Sequence, residues 1–276
     1  MSLFIASINS GSNGNCYYVG NAQEAVLVDA GISCLETEKR MKRLGLSLEK
    51  VKAIFISHEH SDHIRGVEVL SRKYQLPVYI TSKTHLYGRL QLETHLQKTF
   101  QSEETVPIGN LRIKAFSKLH DAADPHSFVV SDEHISVGVF TDIGRACKNV
   151  IQHFKQCHAV FMEANYDDEL LLKGRYPYHL KNRIRGGKGH LSNAQALQVF
   201  TDHRAVFISH LLLSHLSKDN NCPDLVQQLF QSEANGTEII VASRYQESKV
   251  YQIDGSFISD PSSAQKADEP VQLSLF

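Results

Sequence analysis

This chain of 276 residues has little net charge, no long apolar run and no paired-cysteine motif. Its 29 Lys and Arg nearly balance 30 Asp and Glu, for a net charge of −1. That rules out a protein coated in positive charge, while a local basic patch stays open. No stretch approaches the length of a membrane-spanning helix, and no apolar segment with a basic flank precedes the first strand. The five cysteines (Cys16, Cys34, Cys147, Cys157, Cys222) are odd in number and never spaced as CxxC. They fit reduced thiols and not a disulfide framework or a zinc ribbon, so the cytoplasm is the expected compartment. What the chain does have is histidine, 15 of them, and a 42% hydrophobic content sufficient for a sizeable core.

Residues 57–64 read Ser-His-Glu-His-Ser-Asp-His-Ile. His58, His60, Asp62 and His63 are three imidazoles and a carboxylate within six residues, a dense set of ligands for a borderline or hard cation. They follow an apolar, β-branched run at 51–56 that reads as a buried strand. On a loop leaving that strand, His58 and His60 can point the same way and grip one ion. Asp62 and His63 can face a second.

Periodicity and punctuation predict strands at 3–8, 16–19, 25–28, 51–56, 77–80, 111–116, 127–130, 135–140, 159–163, 205–213, 238–242 and 249–253. Helices are expected at 33–44, 64–74, 82–92, 147–156, 167–172, 192–202 and 223–231, the first capped by Ser33 and stopped at Gly45. No repeat or linker separates the halves. The expected architecture is a compact α/β sandwich over 1–255, with sheets inside and helices outside. Residues 256–276 turn polar and rich in Pro and Ser, a composition that predicts disorder.

A two-ion site needs at least three protein groups per ion. Three further candidates sit just beyond strand-like runs: His120, Asp142 and His215. With these in place the chain resembles the metallo-β-lactamase superfamily, whose pattern is an early Asp, then HxHxDH, then a His, an Asp and a final His. The resemblance implies a four-layer αββα sandwich. It implies that His58, His60 and His120 hold one ion and Asp62, His63 and His215 a second, with Asp142 bridging and Asp29 orienting a ligand. Within the superfamily, four stretches are similar to the YycJ/WalJ group of small bacterial nucleases: Ser-Gly-Ser-Asn-Gly-Asn-Cys at 10–16, His-Asp-Ala-Ala-Asp-Pro at 120–125, Gly-His-Leu-Ser-Asn at 189–193 and Leu-Ser-His-Leu-Ser-Lys-Asp-Asn-Asn at 213–221. The interval from Asp142 to His215 is too short for the β-CASP insertion of larger RNA-processing relatives.

Paired divalent cations, Zn²⁺ or Mn²⁺ with Fe²⁺ as a further option, activate water and offset charge on a phosphate. The expected reaction is phosphodiester hydrolysis, with Asp62 orienting the water and His190 protonating the leaving alkoxide. His190 is read as opening a helix, where an anion is favoured. Segment 173–190 has no acidic residue and includes Lys181, Arg183, Arg185 and Lys188, candidates for tracking nucleic-acid phosphates. Asn13 and Asn15 either shape the mouth of the site or form a plain turn. The last five residues match a peptide by which bacterial replication and repair proteins dock on the DNA polymerase sliding clamp, with Gln272, Leu273, Leu275 and Phe276 as contacts. The leading expectation is thus a DNA exonuclease of repair or replication. The alternatives are an RNA-processing nuclease, a hydrolase of thioesters or cyclic phosphodiesters, and a clamp-bound scaffold with a vestigial metal site.

Overall fold

The structure is a computed structural model that describes residues 2–255. The clamp-like residues Gln272, Leu273, Leu275 and Phe276, and the rest of the polar terminus, lie outside them. Among the described residues two seven-stranded sheets form. The first contains β1 (Leu3–Asn9), β2 (Cys16–Gly20), β3 (Ala25–Val28), β4 (Val51–Phe55), β5 (Val78–Tyr79) and β6 (Gln97–Lys98). The second contains β7 (Thr105–Ile108), β8 (Leu111–Ser117), β9 (His126–Ser131), β10 (Ser136–Phe140), β11 (Ala159–Glu163), β12 (His210–Ser214) and β13 (Glu238–Val241). β14 (Tyr251–Ile253) returns to pair with β1. Each sheet is antiparallel in one part and parallel in the other, the parallel runs being β3–β6 and β10–β13.

Parallel strands covered on both faces must be apolar along their whole length, and β3 and β11 are buried at every position. Val26, Val28 and Phe55 of the first sheet meet Phe128, Val139 and Phe161 of the second in a central apolar layer. Outside the first sheet lie α1 (Cys34–Arg43), α2 (Ser61–Ile64), α3 (Val67–Tyr74) and α4 (Ser82–Gly88), with Met41, Val67 and Leu70 packed on Leu27 and Ile54. Helices α5 (Lys148–Phe154), α6 (Asp168–Lys173), α7 (Tyr178–Arg185), α8 (Asn193–His203) and α9 (Pro223–Gln231) follow in the second half. Of these, α5, α8 and α9 bury Phe154, Phe200 and Phe230 against Met162 and Leu213. The αββα sandwich expected from the sequence is the fold observed.

Local chemistry placed several helix starts correctly. Ser33 Oγ accepts from the Glu36 amide, and Ser192 and Gln195 exchange bonds as a capping box, a device that contributes about 1 kcal/mol. Elsewhere the long-range structure overrides the local pattern. The helix expected at 64–74 breaks at Gly66, whose amide is drawn onto the Ala30 carbonyl. The one expected at 82–92 stops at Gly88, where Arg89 turns left-handed (φ 52°). The strand expected from 205 begins only at His210, because its partners β11 and β13 start opposite that residue; Val206 is 98% exposed. The basic stretch 173–190, where no helix was expected, contains α7, whose residues are all at least partly exposed.

Candidate metal centre

In both sheets the carboxyl ends of the parallel strands face one rim, and the expected ligands leave from it. Asp29 follows β3, the 57–63 loop follows β4, Asp142 follows β10 and His215 follows β12. β8, two strands from β10 and running the same way, leads to His120. Asp29, Asp142 and His215 adopt left-handed backbone, with φ of 59°, 54° and 57°. A side chain in that region costs roughly 1–3 kcal/mol, strain that persists where the surroundings over-determine it. Here it turns each side chain sharply from the strand end toward the rim.

Two sets of donors meet there. His58 Nε2 lies 3.1 Å from His60 Nδ1, and His120 Nε2 lies 3.4 Å from that same nitrogen. Asp62 Oδ2 lies 3.5 Å from His63 Nε2 and 3.4 Å from His215 Nε2. Asp142 stands between them: its Oδ2 is 3.1 Å from His63 Nε2 and its Oδ1 is 3.7 Å from His120 Nε2. Within each set, His58–His60–His120 and Asp62–His63–His215, one donor atom per residue falls within 4.8 Å of the others.

The opposite ring nitrogens are held from behind. Ser57 Oγ donates to Asp29 Oδ2 (2.8 Å), which leaves it to accept from His58 Nδ1 (2.9 Å). His63 Nδ1 donates to Asp29 Oδ2 (2.7 Å), His120 Nδ1 to the Gly189 carbonyl (3.0 Å) and His215 Nδ1 to Glu163 Oε1 (3.1 Å). A hydrogen bond at Nδ1 selects the tautomer whose Nε2 lone pair faces the cluster. His60 is the exception and turns Nδ1 inward. The residues fit divalent cations, since five imidazole nitrogens and two carboxylates crowd together at the spacing of metal donors. Asp142 Oδ2 is buried and, although 3.1 Å from His63 Nε2, makes no well-aligned hydrogen bond among the described residues.

The electrostatics divide the two sets. Burial pushes His58 well below its usual range, lowers His60, and lowers His120 to about 4, so these rings stand neutral. Burial also acts against charge at His63 and His215. Asp142, Asp29 and Asp62 overcome it at His63 and hold that ring well above its usual value. Asp142, Asp62 and Glu163 do the same at His215, up to about 10. Burial raises the Asp62 and Asp142 carboxyls, but the charges of His63 and His215 outweigh it and keep both ionised, Asp62 down to about 2.

His190 is not at a helix start. α8 begins at Asn193, and the His190 amide is bound to the Ile184 carbonyl. Its ring is placed by a carboxylate instead: Nδ1 lies 2.7 Å from Glu163 Oε1. The ring centroid stands 5.3 Å from that of His120 and 5.2 Å from that of His215, between the two donor sets. Of the basic candidates, Arg183 pairs with Asp121 beside His120, Lys181 Nζ donates to the Leu172 carbonyl, and Arg185 bonds Asn182. Arg183, Arg185 and Lys188 are exposed. Asn15 belongs to the rim, its Nδ2 lying 3.2 Å from Asp62 Oδ2 and 3.1 Å from His63 Nε2.

Sequence reasoning missed Glu163, buried at the end of β11. The signal was an acid closing an otherwise apolar strand, Ala-Val-Phe-Met-Glu. It also missed Lys118, a buried ammonium that ties the His120 loop to the Asp142 loop through the Thr141 carbonyl (2.6 Å).

Residues 24–216 match the profile of the β-lactamase superfamily domain. The chain belongs to that superfamily of metallo-hydrolase folds, and within it to the group of the following two relatives. It is 36% identical over 232 residues to the exodeoxyribonuclease YycJ of Bacillus anthracis, covering 82% of this chain and 87% of that protein. It is 33% identical over 236 residues to the exodeoxyribonuclease WalJ of Streptococcus pneumoniae, covering 81% and 87%. The metallo-β-lactamase fold protein YhfI of Bacillus subtilis superimposes with a TM-score of 0.71 at 18% identity, over 91% of this chain and all of that one, a likeness of fold. No helix among the described residues is long and apolar enough to cross a membrane.

Proposed function

We propose that this protein is an exodeoxyribonuclease that works with two divalent cations, Zn²⁺ or Mn²⁺. His58, His60 and His120 would hold one; Asp62, His63 and His215 the other; Asp142 would join them. The single observation that carries the reading is the convergence of these seven residues on one rim, with His190 held over them by buried Glu163. Its support beyond geometry is the likeness to two proteins named as exodeoxyribonucleases over most of their length.

Bound cations would supply an acidified water and offset the charge that builds on a phosphate undergoing in-line attack. The chain's own residues do the rest. Asp62, braced by Asn15, orients the attacking water. His190 donates a proton to the departing alkoxide, and Glu163 holds its ring in place through Nδ1, as a buried acid does behind a catalytic histidine. α7, pinned at the rim by the Arg183–Asp121 pair, presents Arg185, and the turn after it presents Lys188, to the strand's phosphates. Docking through Gln272, Leu273, Leu275 and Phe276 would hold the enzyme on DNA at replication and repair sites by raising its local concentration.

The test is purified protein with Mn²⁺ or Zn²⁺ given end-labelled duplex DNA, RNA and a thioester, beside Asp62→Ala and His60→Ala. Mononucleotides released from DNA by the natural chain and not by the variants are the expected result. Turnover of the thioester alone would overturn the reading, as would DNA cleavage undiminished in both variants. Deleting 272–276 should abolish sliding-clamp binding and spare cleavage of naked DNA.

A further inference from the structure

Three of the four strands in the parallel run β10–β13 deliver a residue of the candidate centre at or just beyond their carboxyl ends: Asp142, Glu163 and His215. The fourth, β13, ends on the same rim and delivers Ser243, Arg244 and Tyr245. None of these has a part in the site described above. They wall a cavity of about 330 Å³ together with Leu216, Ser217 and Lys218, the residues that directly follow His215. That volume lies at the small end of ligand pockets.

The cavity is built into the same framework as the metal centre. Ser10, also in its wall, accepts from the His215 amide through Oγ (2.8 Å), and its own amide donates to the Ser243 carbonyl (3.2 Å). Asn13 Nδ2 donates to the Arg244 carbonyl (2.8 Å), and Asn15 in the same loop touches Asp62 and His63. The 10–15 loop therefore reaches the candidate ligands with one end and the cavity with the other.

Its lining has two characters. Arg244 and Lys218 bring positive charge, with the hydroxyl-bearing Ser217 and Ser243 beside them. Arg244 Nη1 is buried and has no hydrogen-bond partner among the described residues. A guanidinium in a cavity wall is a planar group of donors, and an anionic oxygen is the partner it fits best. Tyr245, by contrast, is 73% exposed, and among the described residues of the lining it is the one aromatic ring. Leu216, Pro223 and Val241 add apolar surface below it. Anion-binding charge next to a ring and an apolar wall is the chemistry that receives a nucleotide.

We propose that this cavity holds a nucleotide of the DNA strand adjacent to the scissile phosphodiester, its phosphate on Arg244 and Lys218 and its base against Tyr245. The proposal rests on the nuclease reading and deepens it by assigning a substrate subsite. A pocket of this size beside the reacting centre would help register the strand so that the neighbouring linkage meets His190 and Asp62.

The test pairs changes in the protein with changes in the DNA. Metal-loaded, full-length protein is titrated with fluorescent phosphorothioate oligonucleotides by anisotropy. The oligonucleotides carry a neutral methylphosphonate or an abasic sugar, placed in turn at each position near either end. The natural chain should lose roughly tenfold in affinity at one position for each change. Arg244→Gln should no longer distinguish the methylphosphonate, and Tyr245→Ala should no longer distinguish the abasic sugar. Tyr245 is exposed, so its variant keeps the test decisive if Arg244→Gln fails to fold. Variants that discriminate as fully as the natural chain, or a natural chain indifferent at every position, overturn the subsite. Cleavage assays on the same sequences with an ordinary phosphodiester backbone separate the two readings: position-dependent binding without cleavage defeats the nuclease assignment alone, and cleavage without position-dependent binding defeats the subsite alone. DNA that neither binds nor is cut defeats both.

Discussion

Glu163 Oε1 receives the His190 Nδ1 proton at 2.7 Å from a carboxylate that cannot turn away. Its other oxygen is fixed by the amides of Ile143 (2.6 Å) and Leu191 (3.2 Å), and the group is wholly buried. The same Oε1 lies 3.1 Å from His215 Nδ1. One acid thus orients both the expected proton donor and an expected metal ligand. Burial would raise its carboxyl, but the His190 charge and hydrogen bond, with the His215 bond, hold it down to about 2. It remains an anion throughout the working range.

His190→Ala is expected to lower DNA cleavage by about 10²–10⁴-fold, the usual worth of a positioned acid. The loss should be much smaller on bis(p-nitrophenyl) phosphate, whose leaving group departs without a proton. Equal losses on the two substrates, measured as kcat, would remove His190 from leaving-group protonation.

Asp29 selects the His63 tautomer from behind. Asp29→Asn should therefore weaken metal binding by about 10–100-fold without removing any direct ligand. Competition against a chromophoric chelator measures this. Unchanged affinity would show that the brace does not matter to the cation.

Metal uptake should split by pH. His63 and His215 hold protons in the metal-free chain, His215 up to about 10, so a cation there must displace them. Affinity at Asp62–His63–His215 should rise with pH over roughly pH 6–9. His120 loses its proton near 4 and burial holds His58 well below its usual range, so the other set should bind with little pH dependence in that window. Calorimetry in buffers of different ionisation enthalpy reads the protons released. Equal release at both sites would contradict the division.

A Cβ on Gly31 would fall 1.7 Å from the Asp62 carbonyl oxygen, inside the turn that holds the HxHxDH loop. Gly31→Ala should destabilise the fold by at least about 1–3 kcal/mol, as overpacking does, and weaken metal binding with it. Thermal melts with and without metal test this. A variant as stable and as metal-competent as the natural chain would show that the loop can give way there.

Removing metal with a chelator should lower the melting temperature, because cations that bind only the folded centre stabilise it by mass action. His60→Ala should show a smaller difference between metal-loaded and metal-free melts than the natural chain does. An unchanged melt on chelation would count against resident cations.

The octet at 57–64 was legible because its ligands are neighbours in the chain and follow a buried strand. Capping by Ser33 was legible for the same reason, since a cap involves only the next few residues. The αββα architecture followed from apolar runs and the family resemblance together. Tertiary structure alone decided what depends on distant segments meeting. Pairing with β11 and β13 set where β12 begins, and left-handed backbone at Asp142 and His215 aimed those side chains at the rim. It also drew Glu163 under His190, 27 residues away, and Arg244 beside the loop after β1. A local pattern records the preference of a short segment, whereas a site is defined by the positions that packing imposes on side chains far apart in the chain.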